Sequence, residues 1–426
     1  MHDIKYIKDN PYLFDQSLKK RNLENMSETL IIKYIDYTSS LKIIEDLKMQ
    51  RNVFSKKIGF FSQKKITVEA DELKEKVSII KEKIIELSEE VEKKIFDLNK
   101  DLSLIPNILD IKVPYGKSEE ENVTVRINKI PKKFNFKAKD HTKIVEELGL
   151  LNYEQAVKIC GARFSVLKSE LALLHRALGN FMLDTHTLKN KYTEMKVPEL
   201  VKSSSLYGTG QLPKFEDDLF KTSRNLFLIP TAEVPLTNLF RDSIIDDKNL
   251  PLRFTALTNC FRSEAGSAGM DTKGLIREHQ FSKVELVSIT KPEDSMNELE
   301  RMVVCVEDIL KELDLPYKLV ELCSGDVGFS SSYTLDFEVW MPGQKKYREV
   351  SSCSNCKDFQ SRRMMMRSKN FSEKKNYFPH TLNGSGLAIG RIIVAIIENY
   401  QNEDGSISIP TVLQDYMGGL KKIVGL

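Results

Sequence analysis

The sequence Phe254-Thr-Ala-Leu-Thr-Asn-Cys-Phe-Arg262-Ser-Glu264 leads into a Gly-rich loop over residues 265–274, and Phe281-Ser-Lys-Val-Glu285-Leu-Val287 follows. Both ends are rich in β-branched and aromatic residues and alternate with a period of two, which is typical of strands. The glycines between them favour turns over a packed core. The stretch therefore predicts a β-hairpin with a long loop.

Alternation places the polar side chains of this hairpin on shared faces. Arg262 and Glu264 share one face of the first strand, and Phe281, Lys283 and Glu285 share one face of the second. An arginine can bind two oxygens of a phosphate or carboxylate, and a phenylalanine ring can stack on a nucleobase. The pattern indicates a site for an anionic, planar and polar ligand, although a surface hairpin with exposed ion pairs fits the same residues.

The residues around the loop carry a resemblance to a known family. Phe261-Arg-Ser-Glu-Ala-Gly-Ser267, Gly274-Leu-Ile-Arg277 and His279-Gln-Phe281 resemble motif 2 of class II aminoacyl-tRNA synthetases, in the form found in seryl-tRNA synthetases. The similarity runs over essentially the whole chain. It implies an α+β fold, with an antiparallel-sheet class II synthetase catalytic domain at residues 111–426. A tRNA-binding N-terminal arm, an antiparallel helical coiled coil, is expected at residues 1–110.

Composition limits the classes of protein to consider. The chain has 426 residues, of which 41% are hydrophobic and 29% charged, enough for a large core and for two domains. A net charge of +3 does not by itself indicate a nucleic-acid partner, so any RNA contact must come from local patches. Six cysteines in so long a chain, without export-signal features at residues 1–5, indicate reduced thiols and a cytoplasmic location. No apolar run approaches the ~20 residues of a membrane span.

Residues 1–105 predict the helical arm. Residues 1–25 form a short helical cap, and an apolar stripe with helical spacing begins at Glu28. A tip is expected at residues 59–65, and Ile105-Pro106 ends the returning limb, so the two limbs form an antiparallel coiled coil. Residues 105–123, rich in proline, glycine and charge, are expected to be the linker. The heptad seam of the returning limb contains Leu73, Val77, Ile80, Ile84, Leu87, Val91, Ile95, Leu98, Leu102 and Ile105.

Two functions fit such an arm: a dimerisation or spacer coil, and an electrostatic contact with an RNA backbone. The first limb is basic toward its tip and the returning limb is acidic, so some lysines could pair across the hairpin. The resemblance implies the RNA contact, because seryl-tRNA synthetases use an arm in this position to grip the long variable arm of tRNA(Ser). The basic residues are Lys42, Lys48, Arg51, Lys56, Lys57, Lys64 and Lys65.

A helix and a strand follow the linker. An amphipathic helix over residues 171–188 and an extended segment over residues 192–198 resemble motif 1 of the class, which implies a homodimer interface. From the pattern alone, a core helix and an edge strand fit as well.

Leu228-Ile-Pro-Thr231-Ala232-Glu233 follows a short apolar strand. A hydroxyl and a carboxylate at a strand end suit an ammonium group. The alternative is a helix N-cap formed by Thr231, with Glu233 in the first turn. The resemblance assigns Thr231, Ala232 and Glu233 to the α-amino group of bound serine.

Within motif 2 the resemblance assigns roles to the polar and aromatic residues. Two positions depart from the usual family pattern: Met270 replaces an arginine, and Glu278 replaces a neutral or basic residue. Both bear on contacts with the acceptor end of tRNA rather than on the chemistry. The assigned residues are Arg262 (substrate carboxylate and α-phosphate), Ser263 (ATP), Glu264 (adenine edge), Phe281 (adenine face) and Glu285 (serine side chain).

Residues 346–352 alternate as a strand, with Glu349 and Ser351 on one face and Ser352 at the strand end. Hard oxygen ligands of this kind suit Mg²⁺ that bridges ATP phosphates. The resemblance places residues 349–352, including Val350, at ATP and assigns Glu349 and Ser352 to the metal.

The stretch Asn383-Gly-Ser385-Gly-Leu-Ala-Ile-Gly-Arg391 leads into an apolar helix. Small residues let a ligand approach the backbone, and an arginine at a helix start can bind a phosphate. The stretch resembles motif 3, which implies Arg391 at the γ-phosphate and Asn383 and Ser385 at bound serine. Arg262 and Arg391 are thus the predicted catalytic residues.

Cys353-Ser-Asn-Cys356 is a single CxxC pair without a second pair or a histidine at ligand spacing, so no zinc site is expected. The basic run at residues 362–367 is expected on the surface.

The resemblance implies an enzyme that attaches serine to tRNA(Ser) through a seryl-adenylate, with ATP as substrate and Mg²⁺ as cofactor. It extends to tRNA(Sec) as a second tRNA charged with serine. Such catalysis needs no nucleophilic side chain, only positioning and charge stabilisation. Two other functions stay open: a ligase that charges a carrier protein with a small amino acid, and a non-catalytic RNA-binding relative.

Overall fold

The computed structural model describes residues 1–265, 274–372 and 375–425, so Met270 lies outside the described residues. The chain divides into two compact units, Met1–Ile105 and Pro106–Leu426. Among the described residues, no helix combines the length and the hydrophobicity that crossing a lipid bilayer requires.

The first unit consists of two short helices and two long ones: α1 (Ile4–Asp9), α2 (Pro11–Lys20), α3 (Ser27–Gln63) and α4 (Thr67–Leu104). Lys33 forms an ion pair with Asp101, and Lys94 forms one with Asp36. These pairs join the start of α3 to the end of α4, so the two long helices run antiparallel. The predicted coiled-coil arm is therefore confirmed.

The predicted heptad seam is the buried side of α4. Val77, Ile84, Val91 and Leu98 are each at most 8% exposed, and Ile44 of α3 packs in the same apolar cluster as Ile84 and Val91. Because Ile84, Val91 and Leu98 are seven residues apart, they stay on one stripe of the helix and face the partner helix.

The tip of the arm is shorter than predicted. Residues 59–63 belong to α3, which ends at Gln63, and only residues 64–66 form the turn. A single glycine lowers the stability of a helix by only about 1 kcal/mol, so Gly59 does not end α3. Lys65 takes the left-handed backbone conformation that reverses the chain, with φ of 56°.

The second unit is built on strands that mostly lie in one sheet. They are β1 (Val123–Asn128), β2 (Thr193–Glu194), β3 (Leu200–Lys202), β4 (Leu226–Leu228), β5 (Ile244–Asp246), β6 (Leu252–Phe261), β7 (Gln280–Thr290), β8 (Tyr317–Glu321), β9 (Tyr333–Met341), β10 (Lys346–Asn355), β11 (Arg367–Asn370), β12 (Lys375–Tyr377), β13 (His380–Ala388), β14 (Ile407–Ser408) and β15 (Lys422–Ile423).

The main sheet has eight strands in the order β1-β8-β9-β10-β13-β7-β6-β2. Each neighbouring pair within it is antiparallel, except that β2 runs parallel to β6. The predicted antiparallel-sheet α+β fold is confirmed. The helices of this unit are α5 (His141–Glu147), α6 (Tyr153–Cys160), α7 (Ser169–Asp184), α8 (Ser203–Thr209), α9 (Glu233–Asn238), α10 (Ser295–Glu312), α11 (Phe359–Arg363), α12 (Ile389–Asn399) and α13 (Thr411–Gln414).

The core of this unit lies between the sheet and α7, α10 and α12. Leu178, Val306 and Ile393 come from these three helices and are fully buried in one apolar cluster. Val284 and Leu286 of β7 belong to the same cluster. Because side chains alternate along a strand, the residues between them point to the other face of the sheet, away from the core.

Two other segments differ from their predictions. From residue 106 onward the segment expected as a linker is part of the second unit, where the Asn107 amide donates to the carbonyls of Ser330 (2.9 Å) and Cys356 (2.8 Å). The basic run at residues 362–367 is partly buried rather than exposed. Arg363 is 3% exposed because its guanidinium donates to the carbonyls of Tyr207 and Leu212.

Candidate active site

The β6–β7 hairpin carries a cavity of about 460 Å³ on the face opposite the helices. A smaller cavity of about 100 Å³ shares several lining residues with it, so the two form one continuous space. The predicted site residues that line this space are Thr231, Glu233, Arg262, Glu264, Phe281, Glu285, Glu349, Val350, Ser352, Asn383, Ser385 and Arg391. Residues that are far apart in the sequence therefore meet in one site.

The hairpin supplies the centre of the cavity as its alternation predicts. β6 pairs with β7 so that Cys260 lies opposite Phe281. Phe281, Lys283 and Glu285 of β7 all line the cavity. The first strand ends at Phe261, however, so its alternation does not reach Glu264, which faces the cavity through a left-handed turn with φ of 51°.

A buried polar cluster forms one end of the cavity. The Thr231 hydroxyl donates to the Glu285 carboxylate at 2.5 Å and accepts from the Lys283 ammonium at 3.1 Å. Lys283 and Glu285 also form an ion pair, and Glu285 is only 2% exposed. The Thr231 hydroxyl accepts from the backbone N–H of Glu233 as well, at 3.3 Å. The N-cap of α9 is Ala232, so the predicted N-cap at Thr231 was wrong, although the Thr231 hydroxyl contacts the first residue of the helix. Thr231 lines the cavity, and its contact with the ammonium group of serine stays a prediction.

Glu233 lies beside this cluster and is held by two amides. Its Oε1 accepts from Gln360 at 2.6 Å and from Asn383 at 2.9 Å. Burial raises the pKa of Glu233 to about 7, and the nearby Glu285 carboxylate adds to the rise. Because burial makes the charged form of Glu233 unfavourable, a cationic ligand would stabilise this carboxylate.

Two arginines mark the other end of the cavity: Arg391 lines its smaller part, and Arg262 lines both parts. The Arg262 guanidinium donates to the carbonyl of Pro230 (3.3 Å) and lies 5.3 Å from the centre of the Phe281 ring. The Arg391 guanidinium donates to the carbonyls of Ile276 (3.2 Å) and Glu349 (2.8 Å). Backbone carbonyls thus fix both guanidinium groups before any ligand binds, which suits them to hold an anion.

Carboxylates accompany the arginines. Glu349 lies 3.2 Å from Arg391, and Glu264 lies 3.0 Å from Arg277. Partial desolvation opposes the charged form of Glu349, whose side chain is 49% exposed, but the Arg391 guanidinium outweighs it and lowers the pKa of Glu349. This carboxylate is therefore ionised at neutral pH and available to a cation.

A bulge in β10 changes which residues reach the cavity. Glu349 pairs with Glu338 and Ser351 pairs with Phe337, so Val350 is an extra residue in the strand. The Ser351 side chain is fully buried and donates to the carbonyl of Ser385 at 2.6 Å. Ser352 lines the cavity with Glu349, within the strand rather than at its end. The prediction that Glu349 and Ser351 share a face was wrong, because the bulge reverses the alternation.

Two further predicted residues lie outside the cavity wall. Ala232 is fully buried in an apolar cluster below it. The Ser263 hydroxyl donates to the carbonyl of Asp217, and its backbone N–H donates to that of Asp218 at 3.0 Å. Ligand contacts of Ala232 and Ser263 stay predictions.

The cavity also contains residues that were given no role from the sequence. Lys283 was on the quoted face, so strand alternation could have identified it. Gln211, Phe215 and Asp218 also line the wall. Gln360 supports Glu233 from a short helix, and no sequence pattern marked it.

The CxxC thiols lie near this site. Cys353 and Cys356 are free and fully buried, and burial raises the pKa of both thiols. The Sγ of Cys356 accepts from the Asn383 amide at 3.4 Å. Within residues 1–265, 274–372 and 375–425, no group of three or more His, Cys, Asp or Glu side chains is arranged to hold a metal ion by itself.

Family models match both units. The seryl-tRNA synthetase N-terminal domain matches residues 1–109, and the class II core domain of the G, H, P, S and T synthetases matches residues 214–400. The serine–tRNA ligase of Brucella abortus (strain S19) is 51% identical over 423 residues, which cover 99% of each chain. That of Brucella melitensis biotype 2 has the same identity and coverage.

Solved structures agree with these matches. The seryl-tRNA synthetase from Pyrococcus horikoshii complexed with ATP superposes with a TM-score of 0.94 at 37% identity, over 100% of both chains. The cytoplasmic serine–tRNA ligase from Naegleria fowleri in complex with AMP gives 0.88 at 28% identity, over 100% of this chain and 99% of that one. Sequence and structure together show that the chain belongs to the seryl-tRNA synthetase family.

Proposed function

We propose that this protein is a serine–tRNA ligase, which activates serine with ATP as seryl-adenylate and then transfers the seryl group to tRNA(Ser). One observation carries the proposal: a single cavity has the buried Glu285 and the partly buried Glu233 at one end and guanidinium groups held by backbone carbonyls at the other. Serine has an ammonium group and a hydroxyl for the first end, and its carboxylate and ATP are anions for the second.

The acidic end recognises serine. We assign the ammonium group to Glu233 and Thr231, with the backbone at Ala232, and the side-chain hydroxyl to Glu285. Asn383 and Ser385 complete the wall around the amino acid. A site that bonds the hydroxyl rejects alanine by about 10⁴-fold or more, because the buried polar groups would otherwise stay unpaired.

The basic end holds ATP. The Arg262 guanidinium binds both the serine carboxylate and the α-phosphate, and so it positions the carboxylate for attack on the α-phosphorus. Phe281 stacks on adenine, Glu264 accepts from the adenine amino group, and Arg391 binds the γ-phosphate. We assign the remaining contacts with ATP to the backbone and side chains of Ser263, Val350 and Ser351.

Glu349 and Ser352 fit Mg²⁺. Both carry hard oxygen donors, both line the cavity, and the lowered pKa of Glu349 keeps its carboxylate charged. Bound there, the ion would neutralise charge on the ATP phosphates. The two side chains offer too few ligands by themselves, so the phosphate oxygens and water would supply the others.

The proposal is tested by serine-dependent ATP–pyrophosphate exchange. The full-length protein should exchange label with L-serine and should be at least about 10⁴-fold less active with L-alanine. If the folded protein shows no serine-dependent exchange, a non-catalytic binding role would remain. Exchange without any charging of tRNA(Ser) would favour a carrier-protein acceptor.

The arm supports a tRNA substrate. Lys42, Lys48, Lys56, Lys57 and Lys65 are exposed on α3 and its turn. In the described part of the chain none of these lysines forms an ion pair, whereas Lys33, Lys74 and Lys94 do. The predicted cross-hairpin pairing therefore leaves most of the basic limb available to phosphates.

A deletion separates the two steps of the reaction. Replacing residues 35–100 by a short Gly/Ser linker keeps the Lys33–Asp101 pair and joins the helix ends that already lie side by side. We expect exchange within about twofold of the full chain and a loss of at least about 10²-fold in tRNA(Ser) charging, because the phosphate contacts are gone. Full charging by this variant would contradict the role of the arm.

The remaining proposals concern assembly and context. We propose a homodimer through the motif 1 segment, which the 80% exposure of the apolar Leu188 supports. The six free thiols fit the reducing cytoplasm. Charging of tRNA(Sec) with serine stays a prediction.

A further inference from the structure

Glu233 has an asymmetric set of hydrogen bonds. The amides of Gln360 and Asn383 both donate to the same carboxylate oxygen, Oε1. Within the described part of the chain, no group donates to Oε2. The carboxylate is thus anchored by one oxygen, and its other oxygen stays open to a ligand in the cavity.

Gln360 is itself held in one orientation. It is 1% exposed, and its Nε2 donates to the Glu233 carboxylate (2.6 Å) and to the carbonyl of Thr209 (3.2 Å). Its Oε1 accepts from the Thr381 hydroxyl at 2.6 Å. A carboxylate and a carbonyl can only accept, so the amide nitrogen must face them and the amide cannot flip.

The anchor is neutral, which matters for a cationic ligand. An arginine or lysine in the place of Gln360 would cancel the negative charge of Glu233. An amide instead fixes the carboxylate and leaves its charge for the ligand. In the same cavity the ammonium of Lys283 forms an ion pair with Glu285, whereas Glu233 is bound by neutral amides. The carboxylates of Glu233 and Glu285 therefore have different partners.

We propose that Gln360 is a positioning residue for serine recognition: through Glu233 Oε1 it aims Oε2 at the α-ammonium group. The inference rests on the proposed function. Gln360 does not line the cavity, whereas Asn383 does, so Gln360 acts only through Glu233. Its loss lets the carboxylate rotate and weakens serine binding, while the ATP end stays unchanged.

Kinetics of Gln360→Met test this, because methionine keeps the volume and removes the amide. A hydrogen bond to a charged group is worth about 10- to 100-fold, so the KM for serine in exchange should rise by about that factor. The KM for ATP should change less than about threefold. Gln401→Met is the matched control: Gln401 is a buried amide that donates to the carbonyls of Lys139 and Glu398, outside the cavity.

A double-variant comparison separates positioning from general damage. If Gln360 acts through Glu233, adding Gln360→Met to Glu233→Gln should change kcat/KM for serine by less than about threefold. An equal loss in both backgrounds would overturn the inference. So would equal increases in the KM for serine and for ATP, or behaviour like that of Gln401→Met.

If Gln360→Met fails to fold, Thr381→Val provides a second test of the role of Gln360. It removes only the hydroxyl that holds Gln360, so the KM for serine should rise by about two- to tenfold with the KM for ATP unchanged. An unchanged KM for serine in this variant would count against the inference. Absence of serine-dependent exchange in the unaltered protein would instead refute the proposed function.

Discussion

Glu349 and Glu233 face the same cavity from opposite ends and are held by different kinds of partner. Glu349 is about half exposed and lies beside the guanidinium of Arg391, which lowers the pKa of the carboxylate. Glu233 is bound by two neutral amides, and burial raises its pKa to about 7. The partners, rather than the residue type, decide how much charge each carboxylate offers to a ligand.

The two ends are therefore prepared for different ligands. At the basic end, Arg262 and Arg391 are already bonded to backbone carbonyls, so they need little reorganisation to bind ATP. At the acidic end, the charge of Glu233 is unfavourable until a cation arrives. Serine binding should thus depend on the protonation of the protein more than ATP binding does.

The largest expected effect is at the basic end. Arg262→Ala should lower kcat/KM for serine-dependent exchange by about 10²- to 10³-fold, because the developing charge at the α-phosphate loses a fixed donor. Arg262→Lys should lose less activity than Arg262→Ala, since lysine keeps the positive charge but cannot form the bidentate hydrogen bonds of a guanidinium. Arg224, exposed in a turn away from the cavity, gives the control Arg224→Ala. A loss of under tenfold in Arg262→Ala would show that the basic end does not stabilise the reaction.

A smaller effect is expected from pH at the acidic end. Below about pH 7 Glu233 gains a proton and loses its attraction for ammonium, so the KM for serine should be about tenfold higher at pH 6 than at pH 8. Glu233→Gln should have a high KM for serine that varies much less over this range. A KM for serine that stays constant in the unaltered protein would mean that Glu233 does not bind the ammonium group.

The same two ends show what the sequence could predict. Phe281, Lys283 and Glu285 were placed correctly on one face because strand alternation is a local property of β7. The seam of α4 was predictable for the same reason, since Ile84, Val91 and Leu98 repeat within one helix.

Long-range features were not predictable in this way. The bulge at Val350 moves Ser351 out of the cavity and brings Ser352 in, and it depends on how β10 pairs with β9. The support of Glu233 by Gln360 joins residues 127 positions apart in the sequence. Tertiary packing creates both features, and one sequence without its fold contains no local signal for them.

Glu278 is a third carboxylate, and among the residues that the structure describes it forms no ion pair with a cationic side chain. It lines the smaller cavity, is 7% exposed and accepts from the Ser165 hydroxyl. Burial raises the pKa of Glu278 to about 7. Glu278 therefore shares the raised pKa of Glu233 but has no proposed role in binding serine. Its negative charge should only lower the stability of the fold.

The sign of the pH dependence follows from the raised pKa. Because the folded protein binds this proton more tightly than the unfolded chain, the stability contributed by Glu278 falls as pH rises from about 4.5 to about 7. Glu278→Gln removes that dependence. At pH 8 the variant should be more stable by about 2–3 kcal/mol, with a higher melting temperature, and the difference should shrink toward pH 5.

Thermal unfolding at pH 8 and pH 5 measures this difference. Glu154→Gln is the matched control, because Glu154 is exposed on α6 and its change should alter stability by no more than about 0.5 kcal/mol. A Glu278→Gln variant that is less stable at pH 8 would mean that the charged carboxylate has a stabilising partner. Such a partner would lower the pKa of Glu278 rather than raise it, and Glu278 would no longer match Glu233 in its electrostatics.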